Sequence, residues 1–217
     1  MSSRRPYIAV AFVLAAFILT GTAAKCAASE ITTKFIEAFD ANDHDTMIAI
    51  VETNKAKVPA EVSSIIEEAQ KAQSQDEKES HFYMAEMMAK IYMDSTGDTA
   101  PLLEVKRKSF DAKLTASERP APVDGVYIIE LPKAAADTKN VFRPNSIVIK
   151  KGSTVRWVNK DTVAHVFASM PVIGKGGISA PMLQPGESWE YKFDKPGEYF
   201  YICFIHHAMI GKITVEE

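Results

Sequence analysis

Hydrophobic residues recur at spacings of three and four over residues 30–114, which is the period of an amphipathic α-helix. They include Phe35, Ile36, Phe39, Met47, Ile48, Val51, Val62, Ile65, Ile66 and Ala69. Pro59 and Pro101 stand where first-turn prolines belong, and Asp76 or Ser80 is a candidate N-cap of a later helix. We therefore predict four or five short helices in this region.

The hydrophobic period changes to two after residue 125, as it does where half-buried β-strands replace helices. In the clearest run, Val155, Trp157 and Asn159 alternate with Arg156 and Val158. Turn signals separate the runs at Lys151-Gly152, Pro185-Gly186 and Pro196-Gly197. Several short strands in succession predict an antiparallel sandwich or barrel.

Residues 115–125 lie between the two patterns and hold two prolines and a glycine, so we interpret them as a linker. The expected organisation is therefore a helical domain of unknown role over residues 30–114 and an all-β domain over residues 126–217. The predicted fold class is mixed, with an all-α region followed by an all-β sandwich.

An uncharged run over residues 7–24 follows Arg4 and Arg5 and ends in small residues. This layout is typical of an export signal, and the run is also at the lower limit of length for a membrane anchor. We predict that residues 1–28 are an export signal or an N-terminal membrane anchor. The rest of the chain would then lie in the periplasm or on the extracellular face of the membrane.

The composition is that of a folded protein, with 47% hydrophobic and 24% charged residues among 217. The formal net charge of −3 offers too little positive charge for nucleic-acid binding. Acidic residues outnumber basic ones in the helical region, which we interpret as a solvated surface. The two cysteines are Cys26, in the expected leader, and Cys203, so no disulfide framework is expected.

Cys203, His206 and Met209 are spaced as Cys-x2-His-x2-Met in one short loop, and His165 stands earlier in the chain. Two histidines and a cysteine in a trigonal arrangement, with a weak axial methionine, form a blue-copper site. Imidazole suits Cu(II) and sulfur suits Cu(I), so a fixed mixture of both serves the two oxidation states without large rearrangement.

The β region resembles the cupredoxin family, the small blue copper proteins of the plastocyanin and amicyanin type. The motifs that carry the resemblance are, in order, Phe142-x-Pro144, Gly152-x-x-Val155-x-Trp157-x-Asn159-x-Asp161, His165, Pro185-Gly186-x-Ser188, Phe193 and Pro196-Gly197-x-Tyr199-x-Tyr201-x-Cys203. The resemblance implies an eight-strand Greek-key sandwich that holds one type 1 copper ion. It also implies the copper ligands, which are His165, Cys203 as the strong equatorial thiolate, His206, and Met209 as the axial thioether.

One position departs from the family pattern. Val166 follows the first histidine, where many relatives have an asparagine whose hydrogen bonds tie the two ligand loops together. Asn159 and Ser169 are candidates to supply part of that tie.

Other residues compete for these roles. His207 is an alternative to His206, and Met170 or Met182 is an alternative to Met209; Cys203 alone could also be a buried core thiol. His81, Met84, Met87 and Met88 lie on successive helical turns, but methionines at this spacing are interpreted as core rather than as a Cu(I) relay.

The resemblance implies an extracytoplasmic electron carrier that cycles Cu(II) and Cu(I) between redox partners such as a cytochrome or a membrane oxidase or reductase. Electrons would leave through His206, with apolar contacts from Ile205, Ala208 and Ile210 and support from Phe204 in the core. The alternative is a copper-binding or storage module without a redox partner.

We do not expect an enzyme. Multicopper oxidases and copper nitrite reductases join a blue site to a catalytic copper through histidines that flank the cysteine, and Ile202 and Phe204 occupy those places. A binuclear centre would need two cysteines in the ligand loop, and this loop has one.

Overall fold

A computed structural model describes residues 29–133 and 141–217. Five α-helices precede seven β-strands in these parts of the chain, so the mixed fold class is confirmed. The helices are α1 (Glu30–Asp40), α2 (His44–Thr53), α3 (Val58–Lys71), α4 (Gln75–Thr96) and α5 (Ala100–Asp111). The strands are β1 (Val126–Pro132), β2 (Ser146–Lys150), β3 (Thr154–Lys160), β4 (Phe167–Ser169), β5 (Ser188–Lys192), β6 (Gly197–Cys203) and β7 (Ile210–Glu216).

The predicted export signal or anchor over residues 1–28 lies outside the described residues. Among the residues that are described, no helix combines the length and the apolar character needed to cross a membrane.

The predicted first-turn prolines are confirmed, whereas the predicted N-cap of α4 is not. Pro59 and Pro101 both lie in the first turn of a helix, as predicted. The N-cap of α4, however, is Ser74, whose hydroxyl oxygen accepts from the Glu77 N–H at 3.1 Å. The expectation of Asp76 or Ser80 was wrong because the helix begins earlier; Asp76 lies inside its first turn, where a negative charge still favours the positive end of the helix dipole.

The five helices share one hydrophobic core, whose fully buried members include Phe35, Val51, Val58, Val62, Ala69, Ala85, Met88, Ala89 and Val105. Met84 and Met88 are buried in this core, and His81 Nδ1 contacts the backbone carbonyl of Glu77 at 2.7 Å. These contacts agree with the interpretation of the methionines as core residues.

The β region consists of two sheets. One has the order β1-β3-β5 and the other β2-β7-β6-β4. The pairs β1/β3 and β2/β7 are parallel, so the sandwich is mixed rather than wholly antiparallel as the strand pattern had suggested. The described residues hold seven of the eight strands that the resemblance implies.

The aromatic core between the sheets fixes their stacking. Trp157 of β3 is fully buried, and its ring lies 5.4 Å from that of Phe167 and 5.7 Å from that of Tyr201, both on the opposite sheet. The buried Val155, Trp157 and Asn159 confirm the predicted alternation on β3. Aromatic pairs at these separations add to the burial of apolar surface that holds the layers together.

Helix α5 packs on the outer face of the four-stranded sheet. The ring of Phe110 meets that of Phe200 edge to face, with centroids 5.3 Å apart. Lys212 Nζ lies 2.8 Å from Asp111 Oδ1 and 2.7 Å from Glu198 Oε1, and Arg107 is 2.5 Å from the second oxygen of Glu198. An apolar contact surrounded by ion pairs therefore attaches the helical region to the sandwich.

The predicted linker also packs on the sandwich. The Glu118 N–H donates to the Ser146 carbonyl at 2.9 Å, and the Val148 N–H donates to the Glu118 carbonyl at 2.8 Å. This short parallel bridge covers part of the β2 edge, and edge strands are commonly protected in this way. The division of the chain into domains at residues 115–125 stays a prediction.

Candidate copper site

The predicted ligand residues come from three segments at one end of the sandwich. Cys203 is the last residue of β6. It pairs with Phe167 of β4, which lies two positions after His165 in the sequence. His206 follows in the turn to β7, and Met209 is the last residue before that strand. The turn is closed by two backbone hydrogen bonds, from the Met209 N–H to the His206 carbonyl at 2.7 Å and from the Cys203 N–H to the Met209 carbonyl at 3.0 Å.

Three ligand atoms point at one another. Cys203 Sγ lies 3.8 Å from Nδ1 of His165 and 3.8 Å from Nδ1 of His206, and the two nitrogens are 3.2 Å apart. The point in their plane that is equidistant from all three lies about 2.1 Å from each, within the roughly 2.0–2.3 Å of metal bonds to imidazole and thiolate. The arrangement therefore fits a single metal ion. Met209 is fully buried, and its backbone closes the same turn.

The surroundings of Cys203 favour its ionised form. Burial alone would raise the pKa of the thiol. The His165 ring and the backbone N–H groups of His206, Ile205 and Val166 outweigh that effect and lower the pKa to about 6. A thiolate is the form that binds metals, so the protein prepares this ligand before any ion arrives.

A carboxylate holds the first histidine in place. His165 Nε2 donates to Asp161 Oδ2 at 3.1 Å, which leaves Nδ1 directed at Cys203. Burial lowers the pKa of His165, but Cys203 and Asp161 together raise it above its ordinary value. Asp161 belongs to a motif that carries the family resemblance, but no role was predicted for it. This role could have been inferred from the sequence, because Asp161 stands four positions before a candidate ligand histidine. Histidine ligands commonly donate their second ring N–H to a carboxylate.

The two ligand loops are tied by the backbone. The Phe204 N–H donates to the Val166 carbonyl at 2.9 Å. Asn159 donates instead to the carbonyls of Val163 and Leu183, at 2.9 and 3.0 Å, and the Ser169 hydroxyl donates to Ile178. Neither side chain reaches the cysteine loop, so the expectation that one of them ties the loops together was wrong. Asn159 fixes the histidine loop to the segment before β5.

Comparison with known proteins identifies the metal. Residues 130–216 match the family of copper binding proteins described as the plastocyanin/azurin family. Plastocyanin from Scenedesmus fuscus is 41% identical over 87 residues, an overlap that covers 35% of this chain and 87% of that protein. The chain belongs to the plastocyanin/azurin family. Copper is therefore the cofactor that its β region takes.

Two further proteins are similar to this chain. Amicyanin-alpha from Methylorubrum extorquens is 39% identical over 80 residues, which cover 36% of this chain and 66% of that protein. A solved structure of a purple cupredoxin from Nitrosopumilus maritimus is 31% identical, with a TM-score of 0.38, and covers 42% of this chain and 99% of that one. This cupredoxin region makes up less than half of the chain.

The proposed ligands differ in their exposure to solvent. His165, Cys203 and Met209 are fully buried, whereas His206 is partly exposed. Apolar side chains that are 44–57% exposed lie on the loops beside the site, and we call them the apolar rim: Val163, Met182, Phe204 and Ile205. The expectation that Phe204 supports the loop from the core was wrong, because β6 ends at Cys203 and the next side chain turns outward.

The competing candidates differ from the proposed ligands in exposure or surroundings. His207 is exposed, and it is His206 that the turn brings to Cys203. Met182 is more than half exposed on the apolar rim, and Met170 follows β4 and donates its N–H to the Phe200 carbonyl at 2.7 Å.

Proposed function

We propose that the chain is an extracytoplasmic electron-transfer protein whose type 1 copper ion is held by His165, Cys203, His206 and Met209. A copper ion in this environment supplies a Cu(II)/Cu(I) couple. The observation that carries the proposal is the triangle of Cys203 Sγ and the two histidine Nδ1 atoms, whose size suits a metal ion.

The protein's contribution is to keep these ligands still while an electron passes. Asp161 orients His165, and the backbone hydrogen bonds of the turn hold Cys203, His206 and Met209. Because two nitrogen and two sulfur donors suit both oxidation states, little rearrangement is needed on reduction. A small rearrangement is what fast electron exchange requires.

The apolar rim and His206 indicate the surface at which electrons would be exchanged. His206 is the partly exposed histidine of the pair, and its turn carries Phe204 and Ile205 at the surface. Exposed apolar groups around a functional centre are suited to protein contact. A redox protein such as a cytochrome or a membrane oxidase or reductase would dock there and exchange an electron through the His206 ring.

The place of action is inferred from the sequence. Arg4 and Arg5 before the uncharged residues 7–24 support export, with cleavage or with membrane anchoring through that run. Export would place the copper site in the periplasm or on the outer face of the membrane.

The burial of the ligands argues against a storage module. A protein that releases copper needs ligands that an acceptor can reach, whereas His165, Cys203 and Met209 are all fully buried. Slow copper loss to a chelator is therefore expected. Enzymatic turnover is not proposed, since Ile202 and Phe204 leave no flanking histidine for a second copper.

The test is spectroscopic and uses the full chain. Cu(II) is added to the unaltered protein, to Cys203→Ser and to the matched control Cys26→Ser, and visible and electron paramagnetic resonance spectra are recorded. The unaltered chain and Cys26→Ser should show an intense thiolate-to-copper band with narrow copper hyperfine splitting, and Cys203→Ser should not. A pale spectrum that is the same in all three proteins would overturn the proposal.

A further inference from the structure

The methionines of the chain differ sharply in their exposure to solvent. Met182 is 54% exposed, which makes it the most exposed methionine in the part of the chain that the structure describes. Met209, the proposed axial ligand, is fully buried. The remaining described methionines are buried or half-buried, and they are Met47, Met84, Met87, Met88, Met93 and Met170. A reagent in solution therefore reaches the thioether of Met182 before that of the others.

Met182 is held beside the ligand loops by its neighbour in the sequence. Leu183 exchanges two backbone hydrogen bonds with His165, at 2.8 and 3.0 Å. Because these two segments run antiparallel, Met182 lies across from Val166. On its other side, Val166 accepts through its carbonyl from the Phe204 N–H at 2.9 Å. The rim residues Met182 and Phe204 therefore flank a single residue of the histidine loop.

The thioether is the one group of the apolar rim that a peroxide attacks readily. The other rim side chains, those of Val163, Phe204 and Ile205, are hydrocarbons. A lone pair of the methionine sulfur forms an S–O bond as the O–O bond of hydrogen peroxide breaks, so the sulfur loses two electrons and the peroxide becomes water. Cys203 and Met209 are fully buried, which shields the two proposed sulfur ligands from the same reagent.

We propose that Met182 is a modification site, at which a peroxide reversibly oxidises the apolar rim and so weakens its contact with a redox partner. The inference rests on the proposed function. In the thioether form the rim is apolar throughout, and in the sulfoxide form it carries one strong hydrogen-bond acceptor. Reductases that draw two electrons from thiols return the thioether and release the oxygen as water.

A sulfoxide on the rim opposes docking because its oxygen is hydrated. Contact with an apolar partner surface removes this water without supplying a hydrogen-bond donor, which costs free energy. The copper ligands are not disturbed, because His165 is held by backbone atoms of Leu183 and not by the side chain of Met182. Electron exchange between proteins therefore falls after oxidation while the copper site stays intact.

The test treats the Cu(II)-loaded full chain with hydrogen peroxide, removes the excess with catalase and maps the oxidised methionines by peptide mass spectrometry. Met182→Leu keeps an apolar side chain but has no thioether. The matched control is Met93→Leu, which removes a half-buried methionine of α4. Two rates are measured before and after treatment: electron self-exchange, in which two copies of the chain meet, and oxidation of the reduced chain by hexacyanoferrate(III), a small oxidant without a docking face.

Met182 should gain an oxygen atom at least about tenfold faster than Met209 or Met93, since susceptibility follows exposure. Treatment should slow self-exchange of the unaltered chain and of Met93→Leu at least about threefold, because the oxidised rim must lose water on contact. Met182→Leu should keep its own untreated rate. The thiolate-to-copper band and the rate with hexacyanoferrate(III) should stay within about 1.5-fold of their untreated values in every protein. Methionine sulfoxide reductase should restore self-exchange of the treated chain.

Oxidation of Met209 or Met93 ahead of Met182 would overturn the proposal, and so would an equal loss of self-exchange in treated Met182→Leu. A sulfoxide at Met182 that leaves self-exchange unchanged would show that the rim tolerates the oxygen, which also overturns it. Failure of the proposed function is seen separately, before any peroxide is added, as a Cu(II) form without the thiolate band or a reduced chain that hexacyanoferrate(III) does not oxidise.

Discussion

Asp161 and the proposed copper ligand His165 form a buried pair, with 3.1 Å between Oδ2 and Nε2 and with 4% and 1% of their side chains exposed. Asp161 is itself fixed, because its N–H donates to Asn159 Oδ1 at 2.9 Å and its Oδ1 accepts from the Thr162 N–H at 2.7 Å. The orientation of His165, the first proposed ligand, is therefore set by neighbours in its own loop that are not themselves proposed ligands.

Asp161→Asn should weaken copper binding about 10–100-fold, because an amide neither fixes the ring tautomer nor strengthens the imidazole as a ligand to the same degree. The measurement is competition for copper against a chelator of known affinity. Asp194→Asn removes an exposed aspartate near the opposite end of the sandwich and should leave the affinity unchanged. An unaltered affinity in Asp161→Asn would mean that packing alone orients His165.

Gly211→Ala should destabilise the protein by about 1–3 kcal/mol, because overpacking a filled core forces neighbours to shift. A Cβ atom at Gly211 of β7 would overlap the Cζ and Oη atoms of the buried Tyr201. Urea unfolding measures the loss. Gly176→Ala is the matched control, since its new Cβ atom would meet only Pro171 Cβ at 3.4 Å, an ordinary contact. Equal stabilities of the two variants would contradict the close packing of Tyr201 on β7.

The elements of the sandwich were predictable because their signals are local. The alternation around Trp157 reports a strand with one buried face, and that strand is β3. The short spacing from Cys203 to Met209 restricts both residues to one loop. Three residues of that loop and one distant histidine were enough to indicate a blue-copper site.

Features that depend on contacts between distant segments were not predictable in the same way. Phe110 of α5 contacts Phe200 of β6. The periodic pattern of each element indicates that it has a buried face, but it does not indicate which other element covers that face. The exposure of Phe204 depends on where β6 ends, and strand ends are set by the turn geometry rather than by hydrophobicity. The role of Asp161 required the shape of the loop before His165.

Glu198→Gln should lower the free energy of unfolding of the metal-free chain by about 1–2 kcal/mol at pH 7, since the partly buried Lys212 would lose one of its two partners. Burial raises the pKa of the Glu198 carboxyl, but Lys212 and Arg107 outweigh burial and hold it below its usual range. The folded protein thus binds fewer protons at this site than the unfolded chain, so the stabilisation is present above about pH 4 and is lost as the pH falls further.

Urea unfolding at pH 7 and at lower pH should therefore show a difference between the unaltered chain and Glu198→Gln that shrinks in acid. Glu190→Gln removes a carboxylate from the more exposed pair with Arg156 and should cost less than about 1 kcal/mol at pH 7. A difference for Glu198→Gln that stays constant with pH would contradict the ionic role of this carboxylate.

Residues 115–217 alone should be less stable and more prone to associate than the full chain. Without α5, the ring of Phe200 and the aliphatic part of Lys212 lose their cover on the outer face of the sheet, and exposed apolar patches promote association. Light scattering and urea unfolding of the fragment test this. Phe200→Thr should reduce association of the fragment but destabilise the full chain, and a fragment as stable and monomeric as the full chain would contradict the covering role of α5.

His206→Gly should open the copper site to added imidazole and slow electron exchange with a protein partner. His206 is the partly exposed histidine, so its removal creates a gap that an external ligand can reach, while the buried His165 stays in place. His207→Gly is the matched control, since His207 is exposed in the same turn but does not face Cys203, and it should keep both the spectrum and the rate. The measurements are the visible spectrum during an imidazole titration and the electron self-exchange rate. Unchanged self-exchange in His206→Gly would place the exit of the electron elsewhere on the protein.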